Sequence, residues 1–124
     1  MGANLTEYLE YLCSENDEIN DLIIVNDEGL PIAHATSAQA SDQTLVSGMC
    51  TALNCIGREL IREMLEIKLE RLLVECSEGV VLIQPLNQKG ILVASCSDME
   101  VISKIDISII QRYFISQQNH LVAM

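Results

Sequence analysis

The sequence predicts an α/β protein of the α+β sandwich type. Helices are expected to cover both faces of a five-stranded, mainly antiparallel sheet, in the order α-β-β-α-β-β-β-α. Short β-branched runs are joined by brief connections that contain glycine, which is typical of antiparallel hairpins. Three longer segments carry apolar residues every three or four positions, which is typical of helices. The 124 residues, 49% of them hydrophobic, fit one domain over residues 1–124, with a core at about 5–115 and a tail at 116–124 expected to fray.

The first helix and the first hairpin are predicted in the N-terminal third. Apolar residues between positions 5 and 12 recur at helical spacing, and Asn4 with Glu7 resembles a capping box. Strands at 21–25 and 30–35 flank an Asn-Asp-Glu-Gly turn. The second strand contains a proline, which cannot donate to a ladder, so we expect that strand at a sheet edge.

A long helix is predicted from about residue 42 to about residue 67. Its apolar residues fall on one side at 100° per residue, and we expect that side to cover the sheet. These residues are Val46, Met49, Cys50, Leu53, Ile56, Gly57, Leu60, Ile61 and Met64. The opposite side carries a polar stripe of Ser47, Thr51, Asn54, Arg58 and Arg62. Beside that stripe lies a strip of small residues, Gly48, Ala52 and Cys55.

Three strands and a last helix complete the predicted order. The strands are expected at 69–76, 80–84 and 91–95, joined by short turns. Ser97 with Glu100 three residues later forms a capping box that opens the last helix. If the strand at 69–76 lies at an edge, its unpaired backbone groups can pair with the same strand of a second copy.

The charge is divided unevenly along the chain. The 18 acids and 7 bases give a net charge of −11. Residues 1–57 contain nine acids and no Lys or Arg, which is −9, and residues 58–124 contribute 7 − 9 = −2. Without a basic patch the chain is not expected to bind nucleic acid. An acidic face serves either as a solubility device or as a docking surface for a basic partner.

No pattern in the sequence predicts a catalytic residue, a metal site or a cofactor. His34 and His120 have no accompanying triad or metal-ligand spacing, and neither phosphate-binding glycine motif is present. The five cysteines are odd in number and include no C-x-x-C pair, which fits neither a zinc ribbon nor a disulfide framework. We expect most of them to be small buried apolar residues in a reducing cytoplasm. No signal peptide and no membrane-spanning helix are predicted.

Several stretches resemble the roadblock/dynein light chain family, in its free-standing prokaryotic type. The hairpin at 21–33, with its Gly-Leu-Pro-Ile turn, carries most of the resemblance. The long helix running into 72–75 and the strands at 79–83 and 90–94 add to it, and the likeness extends over about 5–115. The resemblance implies a profilin-like roadblock fold. It also implies dimers that form through the long helix and the adjoining strand and give one ten-stranded sheet.

The resemblance also implies a non-enzymatic function. Family members are scaffolds or regulators of small Ras-like GTPases, or dynein adaptors. The roadblock dimer of the bacterial gliding pair is a GTPase-activating partner, and the roadblock proteins of Ragulator-type complexes are scaffolds. We therefore expect this chain to pair with itself or with a second roadblock-type chain, and to bind a small Ras-like GTPase. The expected dimer interface is Gly48, Ala52, Cys55, Glu59, Leu69, Arg71, Leu73 and Glu75. The polar stripe Ser47, Thr51, Asn54, Arg58 and Arg62 is expected to bind the partner.

Two other functions stay open. A profilin-like architecture also suits a small-molecule sensor, with His34, Gln84 and Ser95 as candidate polar lining. Stimulation of GTP hydrolysis by an inserted Arg58 or Arg62 is the third possibility.

Overall fold

The computed structural model describes residues 4–37, 42–87 and 89–123, with the side chains of 119–123 left out of the description. The described residues form four helices and five strands in nearly the predicted order. The helices are α1 (Leu5–Glu15), α2 (Gln43–Leu65), α3 (Met99–Ile102) and α4 (Ile107–Ala123). The strands are β1 (Ile19–Asn26), β2 (Pro31–Thr36), β3 (Leu72–Cys76), β4 (Gly79–Leu86) and β5 (Gly90–Cys96). The predicted α+β class and five-stranded sheet are confirmed.

The strands form one antiparallel sheet in the order β2-β1-β5-β4-β3. The edge position expected of the proline-containing strand is confirmed, because β2 is outermost beside β1. The register between these two strands shifts at Ile24 and Val25, so the hairpin carries an irregularity next to Pro31. The other edge is β3. Among the described strands, β2 and β3 are therefore the outermost, at opposite ends of the sheet.

One face of the sheet is covered by α1, α3 and α4, and it holds the larger core. Buried side chains from these helices pack on alternate residues of the strands, with Leu9 and Phe114 fully enclosed. Tyr8 of α1 stacks on Tyr113 of α4, with ring centroids 5.2 Å apart. The aromatic side chains thus join the first and last helices on the same face, as their positions in the sequence indicate.

The other face carries α2 alone, and the residues that α2 turns toward the sheet are small. Ser47, Cys50, Asn54 and Gly57 are its buried positions, at helical spacing of three and four. A Cβ added at Gly57 would lie 3.0 Å from a methyl carbon of Leu72, so the helix backbone approaches the sheet closely there. The core on this face is correspondingly small, with Cys50 packed among β-branched residues of the inner strands.

The prediction for the orientation of α2 is wrong. We expected its large apolar residues to cover the sheet, but most of them point to solvent. The reason is steric, since only small side chains let a helix lie this close to a sheet that is itself lined by valines and isoleucines.

The N-cap predicted for the first helix is confirmed, and the one predicted for the last helix is wrong. Asn4 and Glu7 form the predicted capping box. The last helix is split, and Asp98 rather than Ser97 is the N-cap of α3, where its carboxylate accepts from the Val101 amide at 3.1 Å. The Asp106 carboxylate accepts hydrogen bonds from the Ser108 hydroxyl and from the backbone amides that begin α4. These hydrogen bonds lower the pKa of the Asp106 carboxyl. Helical backbone continues to Ala123, beyond the predicted end of the periodic pattern.

Candidate interaction surface

The outer side of α2 carries a row of large apolar side chains, which we call the α2 outer stripe. Between 43 and 72% of each side chain is exposed in the single chain. Its members are Leu45, Met49, Leu53, Ile56, Leu60 and Met64. Their spacing of three and four residues places them on one helical face. A contiguous apolar surface of this kind marks an interaction site in a folded protein.

The helical half of the predicted dimer interface lies beside this stripe. Gly48, Ala52, Cys55 and Glu59 are all exposed, on the flank of the same outward face. Apart from the nearby backbone of α2 itself, no atom of the described residues lies within 4 Å of a Cβ built at Gly48. Packing within the described chain therefore gives no reason for a glycine at this position, and its small size leaves room for a second backbone.

The strand half of the predicted interface is at the β3 edge. Leu73 and Glu75 are exposed within the strand, while Leu69 and Arg71 precede its first residue. Val74 is 50% exposed and shares the α2 face of the sheet with Leu72. On its outer side β3 pairs with none of the described strands, so its backbone groups and Val74 extend the exposed surface of α2 to the sheet edge.

The predicted partner-binding stripe does not lie together on the surface. Ser47 is 0% exposed and Asn54 7% exposed, because α2 turns both toward the sheet. Thr51 is half-buried and donates its hydroxyl to the Ser47 carbonyl at 2.8 Å. Arg58 and Arg62 are exposed, and the Arg62 guanidinium pairs with Glu59. The prediction that Ser47 and Asn54 face a partner is therefore wrong, while the two arginines remain accessible.

The polar atoms under α2 are left without protein partners. Ser47 Oγ and Asn54 Oδ1 are buried and form no hydrogen bond with any of the described residues. Asn54, Asp27 and Arg58 are among the residues that line a pocket of about 100 Å³ between α2, the β1–β2 turn and the start of β5. Sites for small molecules commonly measure ~300–1,000 Å³, so this pocket is smaller than a typical ligand site.

The described residues contain no cluster of three or more His, Cys, Asp or Glu side chains that could hold a metal ion. His34 is exposed in β2, Gln84 is half-buried and donates to the Glu70 carbonyl at 3.1 Å, and Ser95 is half-buried in β5. The three candidate lining residues are thus dispersed over different strands. No helix within the described part of the chain is long and apolar enough to cross a membrane.

The cysteines separate into two groups that chemical labelling can distinguish. Cys13, Cys50 and Cys96 are buried, and burial raises the pKa of Cys13 and of Cys96 to about 11. Cys55 and Cys76 are exposed, the first beside the α2 outer stripe and the second at the end of β3.

We expect the exposed thiols alone to react rapidly with a disulfide reagent at about pH 8 in a chain carrying Ile56→Glu, a change in the α2 outer stripe chosen to keep it monomeric, because only a thiolate on the surface can attack. Absorbance should show that two thiols react in a fast phase in the folded chain. After denaturation, all five thiols should react. If the unmodified chain associates with itself through α2, Cys55 should react more slowly in it than in the variant. Equal rates at Cys55 in both forms would place the interface elsewhere.

The fold and part of the sequence match known proteins. The family model of the Roadblock/LC7 domain matches residues 11–95. No curated protein matches the chain in sequence.

Several solved structures have a fold similar to that of this chain. Myxococcus xanthus MglB is 12% identical with a TM-score of 0.77, and the match covers 94% of this chain and 89% of that one. A Roadblock/LC7 domain from Streptomyces avermitilis is 10% identical with a TM-score of 0.69, covering 97% and 99% of the two chains. The gliding protein MglB from Thermus thermophilus is 10% identical with a TM-score of 0.65, covering 90% and 81%.

Proposed function

The chain belongs to the Roadblock/LC7 domain family, and we propose that it is a non-enzymatic homodimeric scaffold or regulator of a small Ras-like GTPase. The observation that carries this proposal is the α2 outer stripe. Six large apolar side chains on one exposed helix face are costly in water, at roughly 25 cal/mol per Å² of apolar surface. An interface that covers them turns this cost into the driving force of assembly.

A second copy of the chain is the occupant that we propose for this surface. Two α2 helices related by a twofold axis would place the outer stripes against each other, with Gly48, Ala52, Cys55 and Glu59 at the contact. The same axis brings the two β3 edges together, where Leu73 and Glu75 would lie at the seam and Leu69 and Arg71 beside it. Antiparallel pairing of those edges then extends the two five-stranded sheets into one of ten strands. A second, different roadblock-type chain is the other partner that suits this surface.

The GTPase is proposed to bind near the accessible arginines of the helix. Arg58 and Arg62 lie in the C-terminal half of α2, and Arg58 lines the pocket at Asn54 together with Thr51. Arginine is suited to contact with an acidic surface because its planar guanidinium presents several donors at once. Regulation by this route needs no catalytic group on the chain, because a scaffold can reorganise the residues of the GTPase itself. The five free cysteines favour the cytoplasm as its location.

We expect Arg58→Glu to weaken GTPase binding about tenfold or more and to leave self-association intact. The chain should be immobilised to capture the GTPase from a lysate of the source cells with GDP or with a GTP analogue. The captured protein should then be purified and titrated by calorimetry. Arg112→Glu is the matched control, since Arg112 is an exposed arginine of α4 on the opposite side of the sheet. Equal affinity of Arg58→Glu and the unmodified chain would reject this surface, and failure to capture any GTPase would reject the function.

A further inference from the structure

A small polar pocket lies between α2, the β1–β2 turn and the start of β5. Its volume is about 100 Å³. Asn54 and Arg58 line it from α2, Asp27 lines it from the turn, and Gly90 and Ile91 line it from β5. The pocket therefore joins three segments that are far apart in the sequence.

The walls of this pocket are held in place by contacts within the chain. The side-chain oxygen of Asn26 accepts from the backbone amides of Glu28 and Leu30 at 2.9 and 3.0 Å, which fixes the β1–β2 turn. A Cβ built at Gly29 would lie 3.5 Å from the hydroxyl oxygen of Thr51, so the turn packs directly against α2. The single chain therefore forms the pocket without help from a partner.

Asn54 is the buried polar group of this pocket. Only 7% of the residue is exposed, and its Oδ1 forms no hydrogen bond with any of the described residues. A buried amide without a partner lowers stability unless another group satisfies it. Rotation of the amide by 180° exchanges its oxygen and its nitrogen, so Asn54 can present an acceptor or donors to the pocket. An occupant that carries both kinds of group would satisfy it.

Charges of opposite sign lie at the sides of the pocket. Arg58 carries a guanidinium and Asp27 a carboxylate, and both residues are exposed. Neither forms a salt bridge with another residue in the described ranges. An occupant with a single charge is attracted at one side of the pocket and repelled at the other. A neutral group that accepts from Arg58 and donates to Asp27 meets no such repulsion.

The volume of the pocket limits the occupant to a few atoms. A water molecule takes up ~30 Å³ in the liquid, so about 100 Å³ corresponds to about three water molecules. The carboxamide end of an asparagine or glutamine side chain is of this size, and it carries an acceptor oxygen and two N–H donors. A hydroxyl group is smaller and supplies only one donor.

We propose that the pocket at Asn54 binds the carboxamide of an asparagine or glutamine side chain that the GTPase partner presents. The N–H groups of the carboxamide would donate to Asp27 and Asn54, and its oxygen would accept from Arg58. This inference rests on the proposed function, because Arg58 belongs both to the pocket and to the proposed GTPase surface. The pocket would add specificity, since a partner that lacks the carboxamide leaves the Asn54 amide unpaired.

The probe is acetamide, which is the free equivalent of this side-chain end. It should be titrated into the isotope-labelled full chain and followed by NMR, with acetate and methylammonium as charged controls of similar size. We expect saturable shifts of the Asn54 side-chain amide and of the Asp27 backbone amide. The apparent affinity for acetamide should be at least about fivefold higher than that for either control.

Two pairs of variants locate the site. Asn54→Leu removes the amide and should abolish the acetamide shift at Asp27, whereas Ser47→Ala, at a buried polar residue that does not line the pocket, should retain it. Circular dichroism should verify that Asn54→Leu folds. Asp27→Ala, at an exposed residue, should weaken acetamide binding about threefold or more, while Glu28→Ala, at an exposed neighbour that does not line the pocket, should change it little.

A last measurement connects the pocket to the partner. Saturating acetamide should weaken binding of the captured GTPase about threefold or more, and unchanged affinity would overturn the assignment of the pocket to the partner surface. The absence of saturable shifts, or equal affinity for a charged control, would overturn the assignment to a carboxamide. The titration of the chain uses no GTPase, so it decides the chemistry of the pocket even if no GTPase is captured and the proposed function fails.

Discussion

Ile56→Glu is expected to convert the chain from a dimer of 27.4 kDa (2 × 13.7 kDa) into a monomer of 13.7 kDa in light scattering at micromolar concentration. Ile56 is at the middle of the α2 outer stripe and is 64% exposed in the single chain. A carboxylate there must lose its water without gaining a partner when two stripes meet. We expect the dimer dissociation constant to rise at least about 100-fold, which is about 2.8 kcal/mol.

The matched control is Leu30→Glu, which introduces the same charge at a side chain 51% exposed in the β1–β2 turn, away from the stripe. It should leave the mass unchanged. Both variants should retain the circular dichroism spectrum, because neither side chain is buried within the chain. The melting temperature of Ile56→Glu should also cease to depend on protein concentration. A dimeric Ile56→Glu, or a monomeric unmodified chain, would mean that α2 does not mediate self-association.

The sequence predicts the hairpins and edges well because those features are local. Pro31 cannot donate to a ladder, and Gly29 takes a φ of +81° in the β1–β2 turn, as its position after Asn-Asp-Glu indicates. The capping box at Asn4 is also local, since its partner is three residues away. Each of these assignments depends on contacts within a few residues along the chain.

The orientation of α2 could not be predicted in the same way. A hydrophobic pattern shows that a helix has an apolar side. It does not show whether the chain's own sheet or another chain covers that side. Here the large side chains of Met49 and Ile56 face outward, and the small side chains of Ser47 and Gly57 face the sheet. The available signal was the recurrence of small residues at 47, 50, 54 and 57, which is typical of a closely approaching helix. The small residues Gly48, Ala52 and Cys55 on the other flank carry the same signal, so the pattern alone does not select between the two sets.

The fold also separates the uneven charge in space. The acidic first 57 residues build α1, the β1–β2 hairpin and the first half of α2, which surround the β2 edge. Four of the seven bases lie in the second half of α2 and in the connection to β3. They are Arg58, Arg62, Lys68 and Arg71. The two outermost strands of the described sheet thus differ in electrostatic character.

The largest expected loss of stability comes from Gly90→Ala. Gly90 opens β5 and pairs with Asn26 of β1 and Leu86 of β4. A Cβ on it would lie 2.2 Å from the carbonyl oxygen of Val25 and 3.0 Å from Cζ of the fully buried Phe114. The phenyl ring can shift but the strand backbone cannot, so the methyl group must separate β1 from β5 at the centre of the sheet. We expect a loss of about 3 kcal/mol in the free energy of unfolding.

This loss is best measured by urea denaturation in the monomeric Ile56→Glu background, where assembly does not contribute to stability. Gly48→Ala is the control in the same background, because its new methyl group contacts nothing within the described chain. It should stabilise the chain by about 0.5–1 kcal/mol, since alanine is the better helix former. In the unmodified background, the Gly48→Ala change should weaken the dimer if two α2 backbones approach closely at this position.

Gly90 resembles an ordinary turn glycine in the sequence, and only the approach of Val25 and Phe114 shows why alanine fails there. A Gly90→Ala chain within about 0.5 kcal/mol of its parent would contradict the strand spacing on which this expectation depends.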